Sequence, residues 1–139
     1  MKPSWLLLAV IVIALAITGW QHRPSSAPKE AIVDHNGVAL SALAIEGHET
    51  FKKNCARCHG EYATGTNSGP PLIHDIYNPG HHGDGAFYRA VRQGSPQHHW
   101  NFGNMPPQPQ VSDAEIASII RYIRETQVAN GIVYKKHVM

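Results

Sequence analysis

Charge is scarce in this sequence. Asp, Glu, Lys and Arg make up 16% of its 139 residues, against the quarter usual in globular domains. Neither sign dominates, with twelve Lys and Arg against ten Asp and Glu. The chain therefore lacks the basic excess expected of a nucleic-acid binder. Long apolar runs are nearly absent too: only Trp5–Trp20 (WLLLAVIVIALAITGW) is both apolar and uncharged over sixteen residues, which excludes a polytopic membrane protein. The roughly 120 residues beyond it suffice for one small core, not for a multidomain enzyme. No segment alternates with period two, so no strand is expected. There is no internal repeat and no low-complexity tract. Cysteine is limited to two residues and methionine to three, whereas histidine is abundant at ten.

The uncharged run follows Lys2 and reads as a membrane anchor or an export signal. At ~1.5 Å per residue it spans roughly 24 Å as a helix, a little short of the ~30 Å hydrocarbon core. No small-residue cleavage site follows it cleanly, since Ser25-Ser26-Ala27 runs into Pro28. Trp5 and Trp20 flank it as interfacial anchors do. An uncleaved anchor over residues 1–20 is the favoured reading. No Cys lies nearby, which excludes a lipid-modified N-terminus. Residues 21–40 mix Pro, Ser and Gly without periodicity and read as a flexible linker. Residues 41–130 form the expected domain, and residues 131–139 a short tail.

Within that domain the pattern predicts three helices. Ala44, Ile45, His48 and Phe51 recur at helical spacing and end near Cys55. Asp84 is placed to cap a short helix with Phe87, Ala90 and Val91 on one face and Gly94 as its stop. Ser112-Asp113-Ala114-Glu115 is a capping box opening the clearest helix, whose apolar face is Ile116, Ile119, Ile120 and Ile123 with Tyr122 beside it. Long loops rich in Pro and Gly join the three. Such a mostly α domain cannot bury much apolar surface, and long loops in a small domain point to function or to a bound group that completes the core.

Cys55-Ala56-Arg57-Cys58-His59 names that group. C-x-x-C-H is the signature of covalent c-type haem attachment. Cys at i and i+3 share a helical face, so both sulfurs can add to the vinyl groups along one porphyrin edge, while His59 reaches the iron through Nε2. Other readings fit less well. A thioredoxin-like pair wants a βαβ setting, a structural zinc site wants a second ligand pair, and a disulfide leaves His59 unexplained. For the sixth iron position, Met105 in Gly103-Asn104-Met105-Pro106-Pro107 is the favoured donor. A thioether there raises the reduction potential, and the polar, Pro-flanked setting is unlike a core methionine. His74, His81, His82, His98 and His99 compete for the same position.

Taken together these residues resemble the class I cytochrome c family over about residues 41–127. The resemblance implies a small all-α cytochrome c fold of about three helices with long loops around one covalent haem c, here preceded by an N-terminal transmembrane helix. Gly47-x-x-x-Phe51 resembles the family's first helix, where the small Gly lets the last helix cross closely and Phe51 packs near Tyr122. Gly69-Pro70-Pro71-Leu72 resembles its proximal loop. That match implies that the Pro70 carbonyl accepts from His59 Nδ1 and that Leu72 packs on the haem. Met105-Pro106 matches the distal ligand motif. Gln97-His98-His99-Trp100 through Pro106 resembles a membrane-attached bacterial subgroup.

The function implied is single-electron transfer between a quinol-oxidising complex and a terminal oxidase or reductase. The haem domain is expected on the periplasmic or outer side of the membrane, without enzymatic activity. Lys52, Lys53 and Arg57 near the haem motif are either a docking patch for an acidic partner or a solvated helix face. The runner-up is a haem enzyme such as a peroxidase, with Met105 off the iron and an open distal site. A metal-sensing cytochrome is a third reading. The pairs His81-His82 and His98-His99 read first as solvated loop or propionate partners. The sharper alternative is a peripheral copper site, since neutral imidazole suits such ions. Two pairs on Pro- and Gly-rich loops can reach one ion only if the loops fold back.

Overall fold

The computed structural model describes Gly37 and residues 39–136. The expected anchor over residues 1–20 and most of the expected linker lie outside the described residues. Among the described residues no helix is long and apolar enough to cross a membrane.

The domain is helical, and the described residues hold no strand, only isolated bridges such as Thr66 with Gly69 and Ser95 with Met105. Helix α1 spans Ala42–Asn54, and its N-cap is Ser41, whose side chain accepts from the Ala44 amide at 3.2 Å. The helix ends where the pattern places its end, at Cys55. Cys55 adopts φ −122° and ψ −32°, and the four-residue α2, Ala56–His59, starts anew. Helix α3 spans Asp84–Gln93. Its N-cap is Gly83 rather than the expected Asp84. The Asp84 carboxylate is taken instead by the Arg124 guanidinium at 2.8 Å, so a tertiary ion pair displaces the local cap. Helix α4, Asp113–Ala129, opens with the full capping box formed by Ser112 and Glu115.

Helices α1 and α4 pack along one another and make the core. Ala44 and Phe51 of α1 meet Ile116, Ile119, Ile120, Tyr122 and Ile123 of α4, all buried. The crossing is close enough to demand glycine at position 47. A Cβ there would fall 1.9 Å from the Ser118 carbonyl oxygen. Phe51 and Tyr122 pack with ring centroids 5.6 Å apart.

The loop between α2 and α3 is built rather than slack. Leu72 N–H donates to the Ala63 carbonyl at 2.7 Å, Thr66 pairs with Gly69, and residues Asp75–Tyr77 make a 3-10 turn. Residues 131–136, read from sequence as the start of a tail, return to this loop. Ile132 is buried, and the Lys135 amide donates to Asn78 Oδ1 at 3.2 Å.

Candidate functional site

Helix α3 buries only Val91 fully. Its Ala86, Phe87 and Ala90 face a cleft of about 610 Å³, inside the roughly 300–1,000 Å³ range of small-molecule sites. Phe51, Leu72 and Ile119 continue its apolar wall. The core shortfall expected from three short helices is thus concentrated in one place, where a flat apolar group would complete it.

Residues from separate loops converge on this cleft. Cys55, His59, Pro70, Leu72 and Met105 all line it. Cys58 is half-buried on α2 and is not part of the lining. The two cysteines are not bonded to each other. Burial, with the neighbouring Cys58 adding to it, pushes the Cys55 thiol up to about 11. A thiol exchanging disulfides needs the opposite, a lowered pKa that supplies thiolate. Cys55 is therefore poorly suited to act as the attacking thiol in disulfide exchange.

His59 is buried at the end of α2. Its Nδ1 lies 2.9 Å from the Pro70 carbonyl oxygen. A carbonyl only accepts, so Nδ1 carries the proton and the Nε2 lone pair is left for a ligand. Burial lowers the His59 pKa and the Pro70 bond partly offsets it, so the neutral ring is favoured.

Met105 is set from the other side. Its amide and carbonyl pair with Ser95 at 2.9 and 3.0 Å, closing residues 95–105 into a loop. Gly94 ends α3 at φ +77°, and a Cβ there would sit 2.5 Å from the Met105 carbonyl oxygen. Glycine thus permits both the left-handed backbone and the close approach that brings Met105 to α3.

Other residues were not singled out from sequence. Arg124 donates to the carbonyls of Tyr77 at 2.8 Å and His82 at 2.5 Å, besides holding Asp84. Its guanidinium also lies 4.9 Å from the centre of the Phe87 ring. Gln127, fully buried, donates to the carbonyls of Leu72 at 2.9 Å and Tyr77 at 3.1 Å and accepts from Arg124 at 2.6 Å. Together they staple the cleft's loop to α4. Their signal in the sequence is slight: two polar residues three apart on the edge of an apolar helical face. Trp100 lines the cleft, and its buried indole N–H faces the Tyr77 hydroxyl. Burial pushes the facing Tyr77 hydroxyl up in pKa and the Trp100 N–H draws it back.

The four histidines of the two pairs also stand at the cleft. His82 has its pKa lowered, first by burial and then by His81, His99 and His98 around it, against the raising effect of its bond to the Ile76 carbonyl.

A small helical domain that presents C-x-x-C-H beside an apolar cleft, with a tautomer-fixed histidine on its wall, is that of a covalent haem protein. The Cytochrome c family model matches residues 44–127. This chain belongs to the cytochrome c family, and membership brings one covalently attached haem c and an electron-carrying role served by redox partner proteins. No curated protein matches the chain significantly, and neither does any solved structure.

Proposed function

We propose that the protein is a one-electron carrier whose haem iron is held between His59 Nε2 and Met105 Sδ, with thioethers at Cys55 and Cys58. The observation that carries this reading is the convergence of Cys55, His59 and Met105 on one cleft. The haem supplies a one-electron iron couple. Pro70 accepts from His59 Nδ1, which orients the ring and strengthens its donation. Ser95 and Gly94 hold Met105 from behind. Leu72, Phe51 and Ile119 keep the cleft apolar, and exclusion of water limits reorganisation when the charge changes. A haem held by both His59 and Met105 would leave no open iron position for a substrate, unlike that of a peroxidase.

Residues 1–20 anchor the domain at the outer face of the membrane in this reading, so that it exchanges electrons with a quinol-oxidising complex and a terminal oxidase or reductase. Lys52 is engaged by Glu49 at 2.7 Å, which leaves Lys53 and Arg57, both exposed, as the basic contribution to docking.

The test is the oxidised and reduced spectrum of the purified protein, with Met105 varied. Wild type should be low-spin in both states, with the weak far-red band of thioether-ligated ferric haem. Met105→His should stay low-spin, lose that band and fall in potential by on the order of 0.1 V, within the ~0.8 V over which axial ligands tune haem. A Met105→Ala protein with an unchanged spectrum would show that Met105 is not on the iron. A high-spin wild type would favour the enzyme reading.

A further inference from the structure

The two histidine pairs sit on different loops, sixteen or more residues apart in sequence, yet they meet. His81 and His82 precede α3, and His98 and His99 lie in the closed loop 95–105 that follows it. Ring centroids are 5.0 Å apart for His81 and His99, 5.1 Å for His82 and His99, and 5.7 Å for His82 and His98. His81, His82 and His99 each place one ring nitrogen within 4.8 Å of the others.

Backbone carbonyls decide which nitrogens face inward for two of the rings. His82 Nδ1 lies 2.7 Å from the Ile76 carbonyl, and His98 Nδ1 lies 2.8 Å from the Pro96 carbonyl. Both Nδ1 atoms therefore carry protons, and in the neutral rings both lone pairs are on Nε2. Those two Nε2 atoms are 3.4 Å apart. Two lone pairs so placed repel each other unless a proton or a metal ion lies between them. Two imidazole nitrogens bound at ~2.05 Å to one tetrahedral ion would be separated by about 3.3 Å, which matches the distance found.

We propose that His81, His82, His98 and His99 form a binding site for a late first-row transition ion, copper or zinc, beside the haem cleft. The converging ring nitrogens of His81, His82 and His99 have no carboxylate among them, and His98 joins the group through its approach to His82. Such a set selects copper and zinc over magnesium or calcium, which take oxygen ligands. The supporting shell is in place. The carbonyls of Ile76 and Pro96 fix two tautomers, as partners outside a metal's own ligands commonly do. Arg124 pins the loop of His81 and His82 through the His82 carbonyl. The other loop is held by the Gln97 amide donating to Asn104 Oδ1 at 3.0 Å and the Gly103 amide donating to Gln97 Oε1 at 2.9 Å.

The experiment uses the full-length, untagged holoprotein, titrated separately with copper(II) and zinc(II) and then dialysed for elemental analysis. The expected result is one ion retained per haem, with a copper(II) paramagnetic resonance signal carrying couplings from at least three nitrogens. The variant with His81, His82, His98 and His99 all changed to Gln should lose binding at least ~100-fold while its haem spectrum stays low-spin. If that variant yields no holoprotein, His99→Gln alone should still weaken binding more than ~10-fold. No ion retained by the wild type would overturn the proposal. Undiminished binding in the variants would do so too, as would a quadruple variant that turns high-spin, since one of the histidines would then be an iron ligand.

Discussion

Replacing Gly47 by alanine adds one methyl group to α1, and the structure says where it lands. Its Cβ would lie 1.9 Å from the Ser118 carbonyl oxygen, 2.3 Å from the carbonyl carbon and 2.9 Å from the Ile119 nitrogen. Carbon packs at roughly 3.5 Å from its neighbours, so α1 and α4 must part by about 1.6 Å along that contact. The obstruction is backbone, and no rotamer relieves it. Parting these helices loosens Ala44, Phe51, Ile116, Ile119, Ile120, Tyr122 and Ile123 together, which are most of the core. Overpacking costs about 1–3 kcal/mol where side chains can yield, and this case belongs at or above that upper end. Alanine's better helix propensity returns about 1 kcal/mol. The net expectation is a loss of about 2–3 kcal/mol, a large share of the 5–15 kcal/mol typical of a domain. Denaturant unfolding of the holoprotein, followed by far-ultraviolet circular dichroism, reads this as a lower midpoint at unchanged slope. Gly85→Ala is the matched control. Its Cβ would meet only the Arg89 Nη1 atom at 3.5 Å, an ordinary contact, so it should gain about 0.5 kcal/mol. A Gly47→Ala protein as stable as wild type, or both variants shifting alike, would refute the close-crossing argument.

Two further outcomes follow from buried polar groups. Gln127→Leu leaves the Leu72 carbonyl without that donor and deprives Arg124 of an acceptor. It should cost about 2–4 kcal/mol in denaturant unfolding, since each unsatisfied buried group costs about 1–3 kcal/mol. A loss under about 0.5 kcal/mol would mean that the staple is not a source of stability. His48 is stacked on Tyr122 at 4.5 Å, and its pKa is lowered below 6.5, chiefly by burial. The unfolded chain therefore takes up this proton first. The stability tied to a neutral His48 is present above pH 6.5 and is lost as pH falls through the lower folded-state value. His48→Phe should remove this slope, so thermal midpoints of variant and wild type should change in relation to each other between neutral and mildly acid pH. Parallel midpoint curves would contradict the assignment.

What the sequence by itself determined is local in its physics. The C-x-x-C-H spacing, the Ser112–Glu115 capping box and the isoleucine face of α4 each span at most a few helical turns, so period and cap chemistry are enough to read them. The need for a large bound group was legible as well, because three short helices cannot make a core alone. Gly47 was legible only through likeness to the cytochrome c family, and the structure supplies its reason in the approach of the Ser118 carbonyl. Tertiary structure decided whatever depends on distant segments meeting. Arg124 took Asp84 away from its expected role as a helix cap. Gln127, an unremarked polar residue near the end of α4, became the tie for the cleft loop. The two histidine pairs could not be joined from sequence, since each lies on a loop whose course depends on long-range contacts. In the fold, α3 connects those loops and the Ser95–Met105 pairing closes one of them, bringing His82 Nε2 and His98 Nε2 to 3.4 Å.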